Sequence, residues 1–218
     1  MNRTLACLSA AAGLTAHPAY AQFGAAWHQT PAITVVSANR DDPRFGFVDE
    51  AVSYWNKTLE ELGSGFRLGA VTRLVQPVPE AAVVSLGKAV LARTRGPVSV
   101  SSVFDGFPGN LVIVLADSNF ISFAGPFFAG SKRVVGIKGM AFAPLTLPNV
   151  ARNVITHEVG HAIGLGHNSD PTTLMCGRPA PCRPELFRAD KPRMFPLTDS
   201  ERQELRSMYP PDWRAQIP

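Results

Sequence analysis

The stretch His157-Glu158-Val159-Gly160-His161-Ala162-Ile163-Gly164-Leu165-Gly166-His167 constrains this chain more than any other. Positions four apart on a helix share one face about one turn apart, so His157 and His161 present imidazole nitrogens to a single ion. Glu158 projects roughly 100° further round the helix, where it flanks that ion without ligating it. Gly164 needs no Cβ clearance and lets the chain leave the helix in a left-handed turn. His167 then returns as a third ligand, and a fourth position stays open, as a catalytic zinc site requires. From the chain's own composition, such a pattern arises by chance on the order of once in 10⁵ sequences of this length. A helix whose histidines only satisfy core hydrogen bonds explains one of them, not three with a glutamate and a glycine at ligand spacing.

The 218 residues suffice for one domain with a substantial core. Hydrophobic residues make up 45% and charged ones 17%, which excludes a disordered chain. The net charge of +4 is spread without a stripe of Lys and Arg interleaved with aromatics, so nucleic acid is not an expected partner. Residues 1–21 read as an export signal: Arg3 in a short polar start, an apolar run from Leu5 to Ala16, and Ala19-Tyr20-Ala21 as cleavage site. That run is shorter than the ~18–20 residues needed to cross a bilayer, so no permanent membrane anchor is expected. An Ala-rich first helix and a lipid-modified Cys7 are the alternatives, the latter poorly served by Thr4-Leu5-Ala6. The mature chain then spans 22–218 and keeps two cysteines, Cys176 and Cys182. In an exported protein these are most simply a disulfide that shapes a short loop.

Along the chain, Ala32–Ser37 suits a first strand. The apolar positions of Phe47–Leu62 form a helical face that Gly63 stops. Phe66–Leu74 reads as the next strand and Glu80–Arg93 as a second helix with Gly87 inside it. Leu111–Ala116 is a continuous apolar run fit for a buried central strand. Arg133–Phe142 reads as a further strand whose glycines mark a close approach to the backbone. Pro148 opens the helix that carries the histidines and runs to Ile163. A Pro- and Arg-rich irregular stretch occupies 168–196, and Thr198 with Glu201 has capping-box spacing for a last helix.

With these residues in hand, the sequence resembles the metzincin zinc peptidases, whose extended motif is met in full by His157, Glu158, His161, Gly164 and His167. Leu174-Met175 stands where the matrixin branch places its Met-turn, which makes Met175 the candidate. The segment Asn168–Met175 and the ending Pro196-Leu197-Thr198-Asp199 are similar to matrixins too, and the likeness spans about residues 111–210. It implies an α+β fold: one twisted, mostly parallel sheet with an antiparallel edge strand, an active-site helix, and a loop-rich C-terminal part ending in a helix. It implies a single catalytic Zn2+ held by His157, His161 and His167. The Gly- and Asp-rich stretch that holds structural zinc and calcium in matrixins has no counterpart in residues 117–142. It also implies an edge strand that pairs with an extended substrate; Val135, Gly136, Ile137 and Lys138 are the candidates, with an interior strand as the alternative. Cys176-Gly177-Arg178-Pro179 only faintly matches a cysteine switch, and no tyrosine ligand is near the Met-turn.

The expected function is an exported zinc endopeptidase acting on protein or peptide substrates, with Glu158 as general base. A catalytically silent zinc-binding interaction module and a hydrolase of non-protein amides are the competing readings. No oligomer signal is present, so a monomer is expected. Arg178, Arg183, Arg188, Lys191 and Arg193 in the loop after Met175 suggest either a preference for acidic substrate side chains or simply a solvated basic loop.

Overall fold

The β-branched run at the start of the chain becomes β1 (Ile33–Ser37), and the Trp-bearing amphipathic stretch becomes α1 (Arg44–Glu61). There follow β2 (Val71–Val75), α2 (Glu80–Leu91), α3 (Ser102–Asp105), β3 (Leu111–Leu115), β4 (Phe123–Gly125), β5 (Arg133–Ile137), α4 (Pro148–Ala162) and α5 (Asp199–Met208). The computed structural model describes residues 26–92, 101–125, 132–177, 182 and 191–216. The predicted export signal, Cys7 included, lies outside them.

The five strands form one sheet in the order β2-β1-β3-β5-β4. Pairings of β1 with β2 and β3, and of β3 with β5, are parallel, while β4 runs antiparallel to β5 at the edge. The expected α+β architecture, mostly parallel with an antiparallel edge strand, is thus what the chain adopts. Burial on both faces explains why β1, β3 and β5 read as continuous apolar runs rather than alternating ones. One face, through Ile33, Val35, Ile113 and Val135, packs on α1 and α4 around Trp55. The other, through Val36, Val112, Val114 and Val134, packs on α2 and α3 around Leu86 and Phe104. Full burial of such side chains is worth about 1.5–3 kcal/mol each.

The predicted elements shift at several ends, and α1 begins at Arg44 rather than Phe47. The ladder of β2 begins at Val71, not Phe66. Before it, Asn56 on α1 takes both backbone groups of Leu68, with bonds of 2.8 and 3.1 Å, and Phe66 turns inward to stack on Tyr209. β5 stops at Ile137, because Gly139 donates to the Ser118 carbonyl and a turn to Phe142 begins there. The histidine-bearing helix closes at Ala162. The capping box of α5 forms in full: Thr198 Oγ1 accepts from the Glu201 amide, and the Glu201 carboxylate accepts from the Thr198 amide.

Sequence inspection missed the cluster that ties the strand ends together. Arg44, at the first turn of α1, makes a two-point contact with Asp42 at 2.9 and 2.7 Å. It also donates to the carbonyls of Leu115, Ala116 and Lys138, at and just beyond the ends of β3 and β5. Ser37 at the end of β1 donates to the same Asp42 carboxylate. Burial alone would raise the pKa of Asp42, but the bonds from Arg44 and Ser37 outweigh it and hold the carboxyl below its ordinary 3.8. A depressed carboxyl pKa adds stability that is complete above the unfolded value and is lost as pH falls through the folded one. Asp42→Asn should therefore lower stability at pH 7 by about 1–3 kcal/mol, because Arg44 loses its buried two-point partner while keeping Asp117 and the three carbonyls. It should also flatten the loss of stability below pH ~4, read by urea unfolding across pH.

The glycines of the second face have a direct use. A Cβ on Gly87 would stand 2.8 Å from the ring of Phe123, and one on Gly136 would run into the same ring. Phe123 thus lies against two backbones at once, joining α2 to the sheet edge. Gly136→Ala should displace that ring and lower stability by about 1–3 kcal/mol, measured by denaturant unfolding.

Candidate metal centre

The end of α4 is held from three sides before the metal-binding residues are reached. The Ala162 carbonyl accepts from Trp27 Nε1 and from Arg133, and the Ile163 carbonyl accepts from the Tyr209 hydroxyl at 2.8 Å. Arg133 also stacks on Trp27, placing a cation at the negative end of the helix. The backbone then turns at Gly164 with φ of +111°, a conformation that a side chain would resist. His161 anchors the same turn, because its Nδ1–H donates to the Leu165 carbonyl at 2.7 Å.

His157, His161 and His167 converge as the spacing predicts. His167 Nε2 lies 3.1 Å from His157 Nε2 and 2.9 Å from His161 Nε2. Ligand nitrogens around an ion bound at about 2.0–2.1 Å stand close to this far apart, so both separations suit a shared ion. Two of the rings are oriented for it. His157 Nδ1–H donates to the Leu174 carbonyl at 2.8 Å, as His161 does to Leu165, which leaves each Nε2 with its lone pair toward the group. Burial, and then the neighbouring His157 and His167, push the His161 pKa well below 6.5, favouring the neutral ligand form. Among the described residues, these three form the group able to hold a metal ion, buried at His161 and open to solvent at His167. The donor set and spacing fit zinc.

Glu158 is 7% exposed beside this group. No hydrogen bond or ion pair joins its carboxyl to another described residue, and burial raises its pKa to about 8 in the protein alone. A dication at the neighbouring histidines would draw that value down. Met175 is fully buried. Its sulfur would stand 2.6 Å from a Cβ on Gly160, and Trp55 2.7 Å from it, so the methionine packs against the helix between the two histidine turns. Cys176 and Cys182 are bonded, with Cα atoms 5.9 Å apart.

Several expectations need correction or fall elsewhere. Val135, Gly136 and Ile137 do not form an edge: β5 is paired with β3 on one side and β4 on the other. All three are buried, and Lys138 leaves the strand with its amine on the Ala143 carbonyl. The backbone of β5 is thus paired on both sides over Val134–Gly136, which is where a peptide would have to add. Of the basic loop residues, Arg178, Arg183 and Arg188 lie outside the described residues. Lys191 is exposed, and Arg193 lies over the ring of Phe195.

Three contributors escaped sequence reasoning. Gly160 occupies an unspecified position of the motif yet is pressed by Met175 and Trp55. Gly177 lies against the His167 ring so closely that any Cβ would overlap it. Asn168 ties the region together: its amide N–H donates to the Met175 carbonyl, its carbonyl accepts from Gly177, and its side chain donates to Thr173 and Glu201. An Asn directly after the third histidine was the available signal.

No family model matches the sequence, and no curated protein matches it. Among solved structures the chain is similar to archaemetzincin from Methanopyrus kandleri, at 19% identity over 83% of this chain and 96% of that one, with a TM-score of 0.48.

Replacing Gly177 by Ala should push the His167 ring out of line while leaving the core untouched. The expected result is zinc binding weakened by about tenfold or more, with an unchanged thermal unfolding midpoint, read by competition with a chromophoric chelator.

Proposed function

We propose that this chain is an exported zinc-dependent endopeptidase, matrixin-like among the metzincins, with Glu158 as its general base. The observation that carries the reading is the convergence of three Nε2 atoms with two of the rings pinned through Nδ1 to backbone carbonyls. That arrangement serves ligation and serves no packing purpose that apolar residues would not serve better.

A zinc ion held by His157, His161 and His167 supplies a Lewis acid for the scissile carbonyl and lowers the pKa of a water toward ~7. The rest falls to side chains of the protein. A Glu158 carboxylate oxygen takes a proton from the attacking water and returns it to the leaving amide nitrogen. No hydrogen bond from another described residue competes for that oxygen, and a bound dication would offset the effect of burial and keep the carboxyl ionised. The solvent-open side at His167 is where a peptide enters. Backbone pairing with the substrate falls to β4, the outermost described strand on that side of the sheet. Residues 1–21 and the Cys176–Cys182 bond fit export into an oxidising compartment, with 22–218 as the catalytic domain.

The test is cleavage of an unfolded protein by the purified mature chain, with chelator and after zinc is restored. Cleavage should stop with chelation and return with zinc. Glu158→Ala should keep stoichiometric zinc and lose about 10³-fold in kcat. Normal cleavage by that variant would exclude Glu158 as base, and zinc binding without any cleavage by the parent would favour the silent interaction module.

A further inference from the structure

Helix α4 carries an unbroken polar row at every fourth position: Asn149, Asn153, His157 and His161. The two histidines face the metal group. The two asparagines face the segment 191–195, which lacks regular structure and precedes α5. Asn149 Nδ2 donates to the Lys191 carbonyl at 2.8 Å, and its Oδ1 accepts from the Arg193 amide at 3.3 Å. One turn on, Asn153 Nδ2 donates to the Arg193 carbonyl at 2.7 Å, and its Oδ1 accepts from the Phe195 amide at 3.1 Å. The two carboxamides thus treat the segment as a neighbouring strand would, donating and accepting on alternate residues. The next residue, Pro196, accepts from the Leu174 amide at 2.8 Å, and the Leu174 carbonyl in turn receives His157 Nδ1–H.

The geometry points to Asn153, supported by Asn149, as a positioning residue for the metal ligand His157. It acts through a closed circuit that leaves α4 at Asn153, runs through Arg193–Pro196 and Leu174, and re-enters the same helix at His157. This rests on the reading of His157 as a ligand. The circuit fixes where the Leu174 carbonyl stands relative to the helix, and that carbonyl selects the Nδ1–H tautomer and the ring plane of His157. Asn153 is 1% exposed and both of its amide atoms are used, so neither a shorter side chain nor an apolar one of equal size can replace it. Hydrogen bonds to buried backbone groups are costly to leave unmade, and the segment would re-seat rather than keep its place without them.

The experiment compares Asn153→Ala, Asn149→Ala and Asn56→Ala. Asn56 makes the same kind of two-bond clamp on Leu68 elsewhere in the fold, so it controls for lost stability alone. Two quantities are read: zinc affinity by chelator competition, and the tautomer of His157 in metal-free protein by long-range 15N–1H correlation. Asn153→Ala should weaken zinc binding about tenfold and convert His157 from a single Nδ1–H form to a mixture. Asn149→Ala should shift both in the same direction by less, and Asn56→Ala should change neither. Parental affinity and tautomer in folded Asn153→Ala would overturn the proposal, as would a parent whose His157 is not in the Nδ1–H form. Should Asn153→Ala fail to fold, the same two readouts on Asn149→Ala decide. A parent that binds no zinc would refute the metal centre, while the tautomer comparison would still decide the positioning role.

Discussion

Helix α4 is buried along nearly its whole length and yet carries Asn149, Arg152, Asn153, Thr156, Glu158 and His161 among its buried residues. A buried polar group without a partner costs several times what a formed hydrogen bond contributes, so each one demands a fixed partner near it. The remainder of the structure supplies one for each of these except Glu158, whose carboxyl is left for the metal centre. Arg152 pairs with Glu50 on α1, Thr156 bonds back to the Arg152 carbonyl, and its own carbonyl takes the Trp55 indole. The asparagines hold the segment before α5, and the histidines hold carbonyls of Leu165 and Leu174.

The same demand explains the C-terminal half. The described parts of the stretch from Asn168 to Leu197 have little regular structure but are not loosely attached. Asn168 joins the bridge at Cys176–Gly177 to the capping box of α5 through Glu201, and the disulfide closes the loop just beyond it. Met175 fills the space left by the absent side chain of Gly160. Apolar packing beneath the three histidines and hydrogen bonding around them thus use different atoms of the same short stretch. The ligand group can stay fixed on the protein side while its outer side, at His167, meets solvent.

On the far face of the sheet, α2 and α3 cover Val36, Val112, Val114 and Val134, with Phe123 wedged against Gly87 and Gly136. Covering both faces leaves β1, β3 and β5 without alternation, which is why their sequences show apolar runs and say nothing about which side faces the active helix. It also made β5 ambiguous. Arg133–Ile137 has the composition of a strand whether it lies inside the sheet or at its rim, and strand order depends on contacts between distant residues. β4, only three residues long, leaves no periodic trace and was not anticipated.

The sequence by itself determined the local chemistry: the helix from Pro148, the i,i+4 histidines, the turn at Gly164, the return of His167, the capping box at Thr198 and the cysteine pair. All of these follow from spacing along one stretch of chain, where backbone geometry converts sequence distance directly into spatial distance. Only the tertiary structure decided the sheet order, the Arg44 cluster, the interior place of β5 and the partners that orient His157 and His161. Those depend on which distant carbonyl or ring arrives beside a residue, and a buried polar group is satisfied equally well, in a sequence, by any of many candidates. The asparagine row on α4 stands between the two. Its period is visible in the sequence, but its meaning is not, because what it grips lies some forty residues further along the chain.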